Sequence, residues 1–206
     1  MFKQLFSTRS LWLALATVVL AAPAHAEVTP EALVRQISTE VIEAAKSDKA
    51  VQAGDLSRIV ALVDTKVMPS VNFEVATRSA VGVKWREATP EQRSKLQTEF
   101  KLMLLRLYSG ALAQLKDQSV EITKTLPVAG STQMVVQSEV RGKGEAIKLD
   151  YRLDKFTDAW KIIDVNVGGI WLVQNYRTQF APELAKGGID GLIQTLVDKN
   201  KASGKT

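Results

Sequence analysis

Two periodicities divide the chain. Through its first half, apolar residues recur every three or four positions, the spacing of an amphipathic helix. In "TPEALVRQISTEVIEAAK", Thr29 is placed as N-cap and Pro30 at the first helical position, and Leu33, Ile37, Val41 and Ala44 share a face. A second helix is expected from Asp55, with Leu56, Ile59, Val60, Val63 and Val67 as its stripe and Pro69 as its stop. A short helical piece follows, "NFEVATRSAVG", capped by Asn72. The longest helix opens with a capping box, Thr89 with Gln92, and Pro90 between them. Its stripe runs Leu96, Phe100, Met103, Leu104, Leu107, Tyr108, Ala111, Leu112 and Leu115, while Leu102 and Leu105 fall off it. Apolar positions beyond one stripe imply burial on more than one side, so this helix is expected between the sheet and the other helices.

The period then falls to two. Val120 and Ile122 alternate with Glu121 and Thr123. Met134, Val136 and Val140 oppose Gln133, Gln137, Glu139 and Arg141. Ile147, Leu149, Tyr151 and Leu153 oppose Lys148, Asp150, Arg152 and Asp154, and Ile163, Val165 and Val167 oppose Asp164 and Asn166. Four such segments with short turns predict an antiparallel meander, solvated on one face and apolar on the other. Helical spacing returns over residues 169–181 and again from Gly188 to Asn200. The expected class is α+β: a four-stranded antiparallel sheet over residues 119–167, its apolar face covered by helices, with C-terminal helices over 169–200.

The first 26 residues belong to neither pattern. Lys3 and Arg9 precede the apolar run "LWLALATVVLAA", and Ala24-His25-Ala26 follows, the layout of a cleaved export signal. The run is shorter than the roughly 20 residues of a membrane span. Residues 27–206 are then the exported domain. The net charge of +5 loses Lys3 and Arg9 with the leader, leaving a mildly basic chain without the basic stripe of a nucleic-acid binder. Lys199, Lys201 and Lys205 are read as a solvated tail. The only histidine is His25 and there is no cysteine, so beyond the leader Ser-His-Asp, Cys-His and ordinary zinc chemistry are all excluded. "SGKT" at Ser203–Thr206 lacks the glycine and the following helix of a phosphate loop, and "GKG" at Gly142–Gly144 reads as a hairpin turn. No metal or cofactor is expected; acid–base chemistry by carboxylates or Tyr stays open.

"WKIIDVNVGGIWLVQNYRTQF" joins a strand to a helix through two glycines. Gly168 and Gly169 allow a sharp corner, after which Leu172, Val173, Tyr176 and Phe180 are expected to fold back over the sheet's apolar face. This stretch and "VNFEVATRSAVGVKWREATPEQRSKLQTEFKLMLLRLY" resemble the two signature regions of the MlaC family of periplasmic phospholipid-binding proteins. The resemblance rests on Phe73, Gly82, Trp85, Arg86, the "ATPEQR" run, Phe100, Arg106 and Tyr108, then on Trp160, Asp164, Val165, Gly169, Leu172, Asn175, Tyr176, Arg177 and Phe180. Trp171 departs from it, standing where the family commonly has a small polar residue.

The resemblance implies a carrier that shuttles phospholipid across the periplasm and maintains outer-membrane lipid asymmetry. Its implied partners are an outer-membrane lipoprotein–porin complex and an inner-membrane ABC transporter with an MCE-type subunit. A two-chain lipid exposes on the order of 30 methylenes at about 0.8 kcal/mol each, so free diffusion is negligible and an apolar cavity is required. The residues expected to contact lipid are Leu104, Tyr108, Leu149, Tyr151, Val165, Val167, Leu172, Val173 and Tyr176, with Gly168 and Gly169 as hinge. Arg106 and Arg177 are read either as members of structural ion pairs or as contacts to an anionic head group or partner. The alternatives to a carrier are an enclosed-cavity enzyme using Asp or Tyr, and an adaptor with a solid core.

Overall fold

The computed structural model describes residues 28–203, apart from Lys143 and Asp158. The expected leader, the centre of the "GKG" turn and the end of "SGKT" lie outside the described residues.

Helix starts follow the capping residues. Helix α1 (Pro30–Ser47) begins where the Thr29 hydroxyl accepts from the Ala32 N–H. A one-turn helix, α2 (Lys49–Gln52), follows at once, because Asp48 accepts from the Ala50 and Val51 N–H groups. Asp55 caps α3 (Leu56–Lys66) and Asn72 caps α4 (Phe73–Val81), with Pro69 in the 3-10 turn between them. After a second 3-10 turn, Gly82–Glu87, helix α5 (Pro90–Ala113) opens on the complete capping box of Thr89 and Gln92. Caps of this kind are each worth about 1 kcal/mol.

The meander is present: β1 (Ser119–Pro127), β2 (Met134–Arg141), β3 (Ile147–Phe156) and β4 (Ala159–Val167) pair antiparallel in sequence order. A fifth strand, β5 (Ile170–Trp171), was not expected; it pairs with Asn166 and Val167 of β4. A second difference lies inside β4. Arg152 faces Asp164 but Leu153 faces Ile162, so Ile163 is the extra residue of a β-bulge. The bulge brings Ile162, rather than Ile163 alone, to the apolar face beside Leu153.

Three hydrophobic clusters follow among the described residues, the smallest around Ala45, Val51 and Ile59; the other two matter here. In the first, Val34, Ile37 and Val41 of α1 pack on Val136, Leu153 and Ile162 of the sheet. In the second, Leu96 and Phe100 of α5 pack with Ala80 and Val81 of α4 and with Tyr176, Phe180, Leu192 and Leu196 of α6 (Leu172–Ala202). Gly188, at φ 61°, breaks α6 into two limbs that pack on each other, and the Thr195 hydroxyl donates to Glu183. The last limb runs through Lys199 and Lys201, so these lysines belong to a helix rather than a tail. It is α1 that lies across β1 and β2, whereas α5 packs chiefly on α6, α3 and α4 and meets the sheet cluster through Leu112. Leu107, placed on the inward stripe by its spacing, is 62% exposed.

Candidate functional site

A cavity lies where the two clusters meet. The sheet cluster supplies Val67, Val71, Ile162 and Val165; the helical cluster supplies Phe73, Phe100, Leu104, Leu172 and Val173. Its volume is about 160 Å³ and its open wall is apolar. Only Lys101 and Asp164 bring charge to its lining, and the Lys101 ammonium is held 2.7 Å from the Asp64 carboxylate. Nothing here offers directional chemistry to a ligand; the space suits hydrocarbon.

Each wall has a local cause. Residues 69–72 dock on the free edge of β4: the Asn72 N–H donates to the Ile162 carbonyl at 2.9 Å, Val71 bridges to Ile162, and the Lys161 ammonium donates to the Pro69 carbonyl at 2.6 Å. This both covers an exposed strand edge and carries Val67 and Val71 to the cavity. On the opposite wall, Phe100 is held among Phe73, Tyr176 and Phe180, at ring-centroid distances of 5.6, 5.0 and 5.2 Å.

The corner is a two-residue hairpin. Both glycines have positive φ, 58° at Gly168 and 95° at Gly169, as the primed turns of hairpins require. The Gly169 N–H donates to the Asn166 side chain at 2.8 Å. Asp164 then reaches past β5 to accept from the Val173 N–H at 3.0 Å, and also accepts from Val165 at 2.8 Å. Trp171, the N-cap residue of α6, makes no side-chain cap of its own, so Asp164 caps the helix from the neighbouring strand. Asp164 and Asn166 were expected on the solvated face, yet they are 9% and 8% exposed because the returning corner covers them. Burial raises the pKa of Asp164, against the hydrogen bonds from Val173 and Val165 and the nearby Arg152 charge, which lower it. The Arg152 guanidinium stacks over the Trp171 ring at 4.5 Å, which gives the unusual Trp a role on the outside of the sheet rather than at the cavity.

Of the residues expected to contact lipid, Leu104, Val165, Leu172 and Val173 line the cavity. The other five do not. Tyr151 packs in the sheet cluster, where burial pushes its hydroxyl up to about 12 and a hydrogen bond with Ser38 of α1 pulls the other way. Leu149 and Val167 face each other near the end of the sheet. Tyr176 turns into the helical cluster rather than over the sheet, as Phe180 does, and the half-buried Tyr108 lies near enough to Tyr176 to raise its pKa further after burial. The ion pairs considered for Arg106 and Arg177 are absent: among the described residues neither has a carboxylate partner. Arg177 instead lies against Gly82, its Nε 3.7 Å from where a Cβ would sit. The sequence reading missed Val71, Lys101, Leu105 and Ile162 as cavity residues. Val63 on α3 and Val67 at its C-cap, four apart, were the one readable signal for that wall.

The sequence model described as "MlaC protein" matches residues 35–198. The toluene tolerance protein ttg2D of Pseudomonas putida is 27% identical over 163 residues, 79% of this chain and 76% of that protein. The intermembrane phospholipid transport system binding protein MlaC of Haemophilus influenzae is 24% identical over 191 residues, 88% of this chain and 89% of its own. A phospholipid-binding protein from Ralstonia solanacearum, solved in complex with a phospholipid, superimposes with a TM-score of 0.80 at 38% identity, covering 84% of this chain and 97% of that one. The chain belongs to the MlaC family.

Proposed function

We propose that this protein is a non-enzymatic periplasmic carrier that encloses phospholipid acyl chains in the cavity between its sheet cluster and its helical cluster. The observation that carries this reading is the cavity's composition and place: apolar walls drawn from both clusters, in a fold shared with a phospholipid-bound relative. Its volume of about 160 Å³ is below the roughly 300–1,000 Å³ of ordinary ligand pockets. Loading therefore requires the walls to part, and α6 with its pivot at Gly168-Gly169 is the wall joined to the sheet by the shortest link. Leu104, Val165, Leu172 and Val173 are the chain contacts in this reading. Leu149, Val167, Tyr108, Tyr151 and Tyr176 come into contact only as the cavity widens. The carrier exchanges lipid with an outer-membrane lipoprotein–porin complex and an inner-membrane ABC transporter bearing an MCE-type subunit, and so maintains outer-membrane lipid asymmetry. No described helix is long and apolar enough to cross a membrane, in keeping with a shuttle.

The enzyme alternative is weakened at both of its candidate groups. Asp164 is committed to two backbone N–H donors, and the Tyr151 hydroxyl is pushed away from neutral pH inside the sheet cluster. Photocrosslinkers at Leu104 and Val173 test the carrier reading. They should capture phospholipid from protein isolated under native conditions, while Lys148 and Asp150 on the outer sheet face should not. Equal labelling at all four positions, or none at Leu104 and Val173, removes the cavity as the lipid site.

A further inference from the structure

Helix α5 has a second hollow on its other side. The cavity uses Phe100, Lys101, Leu104 and Leu105; a cleft of about 640 Å³ uses Met103, Arg106 and Leu107, and is closed by Tyr176 from one limb of α6 and by Lys199 and Asn200 from the other. No carboxylate of the described residues lines it. Asn200 is 5% exposed, and its Nδ2 is committed to the backbone carbonyl and carboxylate of Glu99, at 3.0 and 2.7 Å. That fixes the amide's orientation and leaves Oδ1 buried without a donor. Arg106 has the complementary defect, a buried Nε–H without an acceptor. Among the described residues neither Arg106 nor Lys199 makes an ion pair, whereas Arg35, Arg58 and Arg141 each hold a carboxylate within 3.0 Å. Buried polar atoms are rarely left unpaired, and here the two residues that carry a missing acceptor and a missing donor line one cleft.

We propose that this cleft is a second ligand site, distinct from the cavity, for a phosphate ester that carries a free hydroxyl and an apolar tail. The phosphate oxygens take the Arg106 guanidinium and the Lys199 ammonium, a pairing that favours Arg for its fixed fork of donors. The hydroxyl donates to Asn200 Oδ1. Met103 and the exposed Leu107 supply the apolar wall, which gives Leu107 a reason to stand in solvent on a helix otherwise well packed. This inference stands on the cleft alone and does not rest on the carrier reading.

Calorimetric titration of the full exported chain tests it with three probes: lysophosphatidylglycerol below its micellar concentration, glycerol 3-phosphate and inorganic phosphate. Phospholipid retained by the protein is quantified before and after. The expected result is saturable binding of the lysolipid with retained phospholipid unchanged. Arg106→Gln and Lys199→Gln should each weaken it about 10-fold or more, as loss of a charged hydrogen bond does. Lys199 is exposed in the last turn of α6, so its variant keeps the fold. Lysolipid binding well above glycerol 3-phosphate supports the tail contact with Met103 and Leu107; equal binding of the two overturns it. Binding unchanged in both variants, phosphate binding as well as either ester, or stoichiometric displacement of the retained phospholipid overturns the proposal.

Discussion

Asp164 is a buried carboxylate with a structural task, and its charge works against its burial. The pKa is raised, chiefly by desolvation. A carboxyl group whose pKa is higher in the folded chain binds more protons folded than unfolded between the two values. Its contribution to stability is therefore fully present below the ordinary Asp value of about 3.9 and is lost as pH rises through the raised one. Glu40, Asp48, Asp55 and Glu91 act in the opposite sense, their pKa values lowered mainly by hydrogen bonds. The difference between the parent and Asp164→Asn isolates the buried group. The parent should gain stability relative to that variant on acidification from neutral pH, in denaturant titrations at several pH values; a relative loss would show that Asp164 is not destabilised by burial. At neutral pH, Asn still accepts from Val165 and Val173 and should match the parent within about 1 kcal/mol, whereas Asp164→Ala removes the cap and should cost about 1–2 kcal/mol. The sequence placed Asp164 on the wet face because alternation reports which side of a strand a residue occupies. It cannot report that a later corner returns to cover that side, nor that a bulge at Ile163 shifts the phase one residue before it.

At the scale of elements, helix starts were legible and packing partners were not. Thr29, Asp55, Asn72 and the Thr89–Gln92 box each satisfy local N–H groups, so their signal is complete within a few residues. The one-turn α2 is too short to show a period. The two-residue β5 is defined by its partner in β4, which no local pattern contains. The off-stripe Leu105 of α5 did report a second buried side, but that side faces the cavity rather than a sheet packed flat against the helix. The glycine corner makes an element-scale prediction. A Cβ at either glycine meets nothing within 4 Å, so any cost of substitution comes from the backbone. Asn tolerates positive φ and is favoured first in such a turn, whereas β-branched Val is not. Gly168→Asn should be near neutral. Gly169→Val should cost about 1–2 kcal/mol and, if the corner is the pivot of α6, slow lipid exchange between donor and acceptor vesicles by more than that loss explains. Unchanged exchange in a folded Gly169→Val protein would leave the corner as a turn and nothing more.

Across the whole molecule, the sequence reading found part of the cavity wall and missed the share of it that α3 and α4 supply. It put the cavity between the inward face of the sheet and the two helices over it, α5 and α6, and Leu104, Val165, Leu172 and Val173 do line it. The structure opens it where the sheet cluster and the helical cluster meet, a boundary set by α3, α4 and α5 as much as by α6. Phe100 stands on that boundary, 1% exposed, and serves the aromatic group and the cavity wall at once. Phe100→Ala should therefore lose about 3–5 kcal/mol in chemical denaturation, the cost of a large core deletion; a loss below 1 kcal/mol would mean that the cavity simply absorbs the change.

Loading couples this boundary to the stability of the whole chain. A ligand that binds only the folded state stabilises it by mass action, by about 2.7 kcal/mol at one hundred times its dissociation constant. For a chain of this length that corresponds to roughly 5–10 °C in melting temperature. Protein stripped of lipid should melt lower by about this much, and phosphatidylglycerol or phosphatidylethanolamine vesicles should restore the difference. The cavity's position adds a sharper condition. Because its walls come from both clusters, an acyl chain between Val165 and Leu104 bridges the sheet to the helices, and loading should slow hydrogen exchange in β4, α5 and the first turns of α6 together. Protection confined to the sheet, or a melting temperature indifferent to lipid, would mean that the hydrocarbon lies somewhere other than between the clusters.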